Sequence, residues 1–414
     1  MSTPGISYHT IDGRNFGTWI ALIFFALLAG MGGLAALYME DNGHWVTGMT
    51  NYVVWGLPHV FAFFLVLSAT GAQNVASVGS VFEKLPYRPF GRLSGLTAMA
   101  VQAGGLSVLA LDLGRSDRLI TFATRLHATS VFSWNVVLYT GFFATVAFYL
   151  WTMMDHRLGT LYRPAALAAF IWRLLLTTGS GSVFGFTIAR SAYHSTLVAP
   201  MFIALSMSFG MAFYILVMLW LNASTGRRYP SPELLRRLRI LLAILVGVSA
   251  HMVVIHHLTN FYSAERRDVE RFLLYDSAVY APLIWVGFGL VGTILPLWLC
   301  LRRSHTPIGQ KISLALASFC VVLGGHAFMY VFIVGGEAFP IELFPGKIVS
   351  STFSDGAIAA YSPSWPEILL GLGGYGIAGV LMIVAMWALP ILPGGFPEEP
   401  ASPEAKELTP AAAE

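Results

Sequence analysis

The sequence predicts an all-α polytopic membrane protein with about ten transmembrane helices. Three observations lead there. Of 414 residues, 56% are hydrophobic and only 11% charged, against roughly 25% charged in soluble domains. Mean hydropathy is +0.69. Apolar runs long enough to cross a hydrocarbon layer, about 20 residues for about 30 Å, recur near 17–39, 52–76, 91–112, 130–154, 164–186, 197–221, 237–260, 278–301, 312–335 and 367–392.

Taken in order, residues 1–16 are polar and carry no basic stretch ahead of a short apolar core. The first run is therefore read as a span and not as a cleaved leader. The second run holds Pro58 and His59. Pro58 is expected to loosen the backbone and free a carbonyl. Trp55, four residues before His59, is expected on the same helical face. The third run ends on Asp112, with Arg115, Asp117 and Arg118 just beyond, and the fourth opens with Ser133, Trp134 and Asn135. Arg173 interrupts the fifth run, and TTGSGS follows it. The stretch 336–366 is the longest between spans, either an ordered cap or a plain connector. Residues 17–392 thus form one membrane domain. Residues 393–414, rich in Pro, Ala and Glu, cannot bury a core and are expected to be disordered.

An even number of spans puts both termini on one side, called side A. The charge distribution gives side A 15 Lys and Arg and the opposite face, side B, eight, with Arg173 inside the membrane. The positive-inside bias makes side A, with both termini, cytoplasmic. Side B is basic for a translocated face, and binding of a polar head group or docking of a partner would account for that. The net charge of +3 and the absence of basic runs interleaved with aromatics give no sign of nucleic acid. Cys300 and Cys320 lie in apolar runs without a CxxC, so no iron–sulfur or thiolate zinc site is expected. No metal site is expected elsewhere.

Ionisable groups in membrane helices are costly and mark function by default. Asp112 and His59 are the candidate catalytic groups, as proton acceptors. Arg115, three residues from Asp112, would favour its ionised form. Trp55, His59, Arg115, Ser133, Trp134, Asn135 and Tyr139 would bind the polar head group, with Arg190, Tyr193 and His194 as further candidates on side B. Arg173, His251, His256, His326 and Glu337 could form a proton path, with Tyr330, His326 and Glu337 roughly on one helix face. The plainer readings are a packed histidine at 59 and an interfacial ion pair at 112–115. A b-type haem is disfavoured, because His251 and His256 stand about 140° apart around a helix and no two helices repeat matched histidines.

The LDLGRSDR run followed by FSWNVVLYTGFFA resembles the signature of the NrfD-like membrane subunits, as in polysulfide reductase. The stretch YMEDNGHWVTGMTNYVVWGLPHVFAFFLVLSATGAQNVASVGSVF and the later VIHHLTNFY are similar to the DsrP branch of that family, and the likeness runs from about residue 15 to 390. The resemblance implies two four-helix bundles plus extra helices in the bacterial inner membrane. It also implies a menaquinone or ubiquinone head group bound near the periplasmic face, with no haem or iron–sulfur cluster in the chain itself. The partners it implies are a ferredoxin-like iron–sulfur subunit (DsrO-like) together with DsrM-, DsrK- and DsrJ-like subunits. The chain would then exchange electrons between the quinone pool and that iron–sulfur subunit, in dissimilatory sulfur metabolism. It would be part of an oxidoreductase complex and not catalytic alone. The competing functions are a secondary transporter of a small sulfur oxyanion, a b-type cytochrome anchor, and a purely structural anchor.

Overall fold

The computed structural model describes residues 7–12, 15–225, 231–302, 306–341 and 357–393. Among these, ten helices are long and apolar enough to cross a membrane: α1 Phe16–Asn42, α2 Leu57–Ser80, α3 Leu85–Leu111, α4 Val131–Met154, α5 His156–Gly185, α6 Val198–Ser224, α7 Pro232–Tyr262, α8 Tyr280–Leu301, α9 Pro307–Ala338 and α10 Trp365–Ala388. The protein is an all-α polytopic membrane protein. Residues 394–414 of the expected disordered tail and residues 342–356 of the long side B stretch lie outside the described residues.

Packing divides the helices into two groups of four, α2–α5 and α6–α9, joined where α2 and α5 pack on α6. The α2–α6 seam is close because Gly71 lies under the Ser206 carbonyl, where a Cβ would collide with backbone. Helices α1 and α10 pair along their lengths, and α10 packs on α3 and α2. Helix α2 is the most enclosed and α1 the least, with 94% and 22% of their central windows buried. An apolar helix with that much bare surface is stable only against lipid.

Two strands of two residues each close side A. In β1, Tyr8–His9, and β2, Leu392–Pro393, Tyr8 pairs with Pro393 and His9 with Leu392. The segments before α1 and after α10 therefore meet on one face, as an even number of crossings requires.

Several helix bounds differ from the sequence expectation for local reasons. Helix α2 begins at Leu57, so Pro58 occupies the first turn, where the missing N–H costs nothing. Pro58 starts the helix and does not break it. Trp55 precedes the helix in irregular chain. Helix α9 extends to Ala338 and contains a wide turn, Val331–Gly335, a feature often found beside functional sites. Beyond it Glu337 meets the Trp55 N–H, whereas His326, before it, meets Tyr375.

Candidate functional site around Asp112 and His59

Asp112 caps the C-terminal end of α3. That is the negative end of the helix dipole, where an acidic side chain is disfavoured. It is also buried, with its side chain 1% exposed, and neither carboxylate oxygen receives a directed hydrogen bond. A carboxylate in such a place needs another reason to be there, and two imidazoles supply one. His59 Nδ1, from the first turn of α2, faces Oδ2 at 3.0 Å, and His44 Nε2 stands 3.9 Å from Oδ1 while contacting the Asp112 main-chain oxygen at 3.0 Å. His44 is delivered by the turn after α1, where Gly43 adopts φ +84°, a conformation that favours glycine.

An aromatic wall stands beside the pair. The Trp55 indole stacks on His59 (centroids 6.2 Å apart) and on Tyr193 (6.3 Å), with Phe184 edge-on at 5.2 Å and Phe132 at 6.3 Å. Four separate segments therefore converge on one ring. Tyr193 is held by its hydroxyl, which donates to the Ile333 carbonyl within the wide turn of α9. Burial keeps that phenol protonated by raising its pKa well above the ordinary value.

Two further buried carboxylates hold the 43–56 loop in place. Glu337 Oε2 accepts the Trp55 N–H at 2.9 Å. Glu367 accepts the Gly48 and Ser364 N–H groups, both at 2.7 Å, and the Tyr361 hydroxyl at 2.6 Å. Tyr361 in turn accepts the Leu57 N–H at 2.6 Å, at the start of α2. Arg190 locks the same corner by donating to the Glu337 and Tyr52 main-chain oxygens, at 2.6 and 2.7 Å. Charge-assisted bonds of this kind are the strong ones, so Trp55 is positioned by its backbone as well as by its ring.

The other sequence-predicted residues fall in several places. Arg115 is exposed and pairs in bidentate fashion with Asp117 at 2.9 and 3.0 Å, not with Asp112. This pairing holds the Asp117 carboxyl below its ordinary pKa. Ser133 accepts the His127 N–H, and Trp134 donates to the Ala128 carbonyl, so both brace the 125–130 loop. Trp134 is 42% exposed and its ring meets Phe186, not Trp55. Asn135 is buried on the α4–α5 seam, donating to the Val131 and Gly179 carbonyls, with Oδ1 left unpartnered. Tyr139, one turn on, packs against the apolar cluster that contains Phe142 and Leu176.

The five proton-path candidates do not form one chain. Arg173, 5% exposed, donates to the Thr70 carbonyl and Asn74 Oδ1 across the α2–α5 seam. His326 is bonded on both nitrogens, to the Val322 carbonyl and the Tyr375 hydroxyl. His251 is exposed on the outer face of α7. Glu337 adjoins Trp55, and His256 belongs to a separate cluster near the end of α7. A crevice of about 630 Å³ between α1, α6, α9 and α10 is lined by no carboxylate or imidazole.

Sequence reasoning overlooked His44, Tyr361 and Glu367. Glu367 had a visible signal, since Ser364 precedes it at capping-box spacing, and Glu367 makes its half of the box by accepting the Ser364 N–H. His44 follows the Asn42–Gly43 turn, but nothing local ties it to Asp112.

Comparison with known proteins fits this arrangement. The polysulphide reductase NrfD family pattern matches residues 45–341, from the loop that carries Trp55 to the end of α9. The chain belongs to the NrfD family. Three relatives align over nearly their whole lengths. The Hdr-like menaquinol oxidoreductase integral membrane subunit of Archaeoglobus fulgidus is 26% identical over 398 residues, covering 95% of this chain and 98% of the relative. A putative dimethyl sulfoxide reductase membrane subunit of Halobacterium salinarum is 25% identical, covering 91% and 93%. A selenate reductase subunit of Mesobacillus selenatarsenatis is 21% identical, covering 87% and 91%. The family match includes His59, Asp112, Trp55 and Glu337 but stops short of Glu367, so this NrfD protein positions its site partly with a helix outside the matched region.

Proposed function

We propose that this chain is the quinol-interacting membrane subunit of an oxidoreductase complex, and that menaquinol is oxidised at the Asp112–His59 pair. The observation that carries the reading is the buried Asp112 carboxylate, unsatisfied by any directed hydrogen bond, facing His59 beside the Trp55 wall. A quinol head group has the matching chemistry, with a flat ring to lie against indole and hydroxyls to meet the imidazole and carboxylate. The quinone carries the redox chemistry, and the protein contributes orientation and proton acceptance.

Oxidation of quinol to quinone releases two electrons and two protons. The electrons pass singly to an iron–sulfur partner on side B. A carboxylate 3.0 Å from His59 Nδ1 favours the proton on that nitrogen, which leaves Nε2 as the base. His59 takes one hydroxyl proton at Nε2, with Asp112 stabilising the imidazolium that results, then releases it toward side B and takes the second proton in the same way. Run in reverse, the same groups deliver protons to a quinone. The relative named as a menaquinol oxidoreductase subunit supports the substrate. The resemblance of the LDLGRSDR, FSWNVVLYTGFFA and VIHHLTNFY runs supports a DsrP-like place in sulfur metabolism, with DsrO-, DsrM-, DsrK- and DsrJ-like partners and side B periplasmic.

The test is to purify the complex from native membranes through a tag on this chain, identify the co-purifying subunits, and assay menaquinol oxidation. An iron–sulfur subunit should co-purify in stoichiometric amount. Asp112→Asn should cut turnover by about 10²-fold or more, in the range general-base catalysis supplies, with the subunits still assembled. Near-normal turnover in that variant, or a chain that purifies without partners, overturns the reading.

A further inference from the structure

The end of α7 and the segment that follows it carry a second buried histidine–carboxylate cluster, remote in sequence from Asp112 and unused by the quinol chemistry. Glu270, 1% exposed, receives His257 Nδ1 at 2.7 Å and Asn260 Nδ2 at 2.8 Å. Asn260 Nδ2 also lies 3.1 Å from His256 Nε2, and Asn260 Oδ1 accepts from Arg266 at 3.1 Å.

These contacts fix the protons. Arg266 can only donate, so the amide oxygen of Asn260 must face it and the amide NH₂ must face the other two groups. One N–H goes to Glu270 and the other to His256 Nε2. His256 Nε2 is therefore an acceptor, and its ring proton sits on Nδ1. His257 donates through Nδ1 to the carboxylate, so its Nε2 carries a lone pair. Both leftover atoms, His256 Nδ1 and His257 Nε2, are buried without a partner. One is a donor and the other an acceptor, on rings whose centroids are 5.5 Å apart.

Both rings line a cavity of about 10 Å³, together with Glu270, Ala192, Leu273 and apolar side chains of α8 and α9. That is room for about one water molecule. A single water can accept from His256 Nδ1 and donate to His257 Nε2, which removes both deficits at once. We propose that this cluster is a second proton-holding site, containing one structural water and storing one proton on the His257–Glu270 pair.

The water passes a proton to His257 Nε2 and regains one from solvent. The resulting imidazolium keeps its Nδ1–H on the Glu270 carboxylate, so the positive charge forms against a fixed negative one. The charged and titratable groups around it are Glu270, His256 and, across Asn260, Arg266. Helices α8 and α9 contribute Ile284, Phe328, Val331 and Phe332 to the lining, none of them titratable. On the far side of Asn260, Arg266 lies 3.5 Å from the exposed His194. His194 follows Tyr193, which stacks on Trp55, so one short segment touches both clusters.

The test is solid-state ¹⁵N NMR of the full chain, histidine-labelled and reconstituted in lipid vesicles, followed across pH without quinone. His257→Gln and His256→Gln assign the two rings. In the wild type, His257 should be the Nδ1–H tautomer, show magnetisation transfer from water at Nε2, and convert to imidazolium in one step. Glu270→Gln should weaken its proton affinity at least tenfold. A dry Nε2 in the wild type overturns the proposal, and this measurement needs no variant to fold. Unchanged proton affinity in a well-folded Glu270→Gln chain overturns it too. Because no quinone enters the test, its failure is separate from failure of the proposed function.

Discussion

Each four-helix group presents one buried histidine–carboxylate pair to side B, and the two pairs are built in opposite ways. Each oxygen of Glu270 is hydrogen-bonded. His257 and Asn260 donate to it within 2.8 Å, and a second arginine-held layer fixes the amide. Asp112 is left open. It has imidazole neighbours at 3.0 and 3.9 Å, no directed hydrogen bond, and a helix dipole pointing the wrong way. An open buried carboxylate is unstable as packing and serves as a receptor for something that arrives with hydrogen-bonding groups. A closed one, with each oxygen already bonded by its own protein, is suited to exchanging protons and not to receiving a ligand. The surroundings agree with this division, since Asp112 adjoins a wall of aromatic rings and Glu270 a cavity the size of one water.

The largest expected effects break the comparison at its open end. Asp112→Asn should reduce quinol turnover by about 10²-fold or more, whereas Glu270→Gln in the same assembled complex should cost less than tenfold, because it removes proton storage and not substrate contact. Steady-state turnover of the two purified variants checks this, and equal losses would erase the distinction between the clusters. A similar contrast holds for the histidines. His59→Gln should approach the Asp112→Asn loss, because Gln cannot take the proton. His44→Gln should cost only several-fold, because His44 lies 3.9 Å from Oδ1 and mainly braces the Asp112 main chain.

Next in size is the strapping of the 43–56 loop. Glu337→Gln keeps the shape of the side chain but exchanges a charge-assisted bond from the Trp55 N–H for a neutral one, roughly half as strong. The indole should then be less well held. The expected signature is a KM raised several-fold with kcat changed less than twofold, since the loss falls on ring positioning and not on proton transfer. Turnover measured over a range of quinol concentrations separates the two parameters. A fall in kcat alone would instead make Glu337 a proton-transfer group.

How far the sequence spoke for itself can be traced residue by residue. Ten spans were visible because lipid imposes length and apolarity on each one, and the charges on the intervening loops followed. Asp112, His59 and Trp55 stood out because a polar group at a membrane helix end needs an explanation. Their pairing was not visible. The nearest cation in sequence to Asp112 is Arg115, three residues on, yet the chain leaves the helix at Asp112 and Arg115 turns out to Asp117. Its place is taken by His59 and His44, 53 and 68 positions earlier, brought in by helix packing that no local pattern encodes. Glu270 was passed over because it lies in a short charged run, RRDVER, that looks like a solvated loop. Only the fold buries it against α7. The wide turn in α9 also has no sequence mark that would have separated Glu337 from His326.

The smallest effect tests the pairing of Arg115 directly. If Arg115 served Asp112, Arg115→Ala would remove a cation from the site and mimic part of the Asp112→Asn loss. In the structure its guanidinium is about two-thirds exposed and committed to Asp117, an arrangement worth little in water. Arg115→Ala should therefore leave quinol turnover within twofold of wild type when the purified complex is assayed. Asp117→Ala, which releases the same guanidinium, should do the same. A loss of tenfold or more in the arginine variant alone would mean that Arg115 swings inward when substrate binds, and the open carboxylate would then have a third partner.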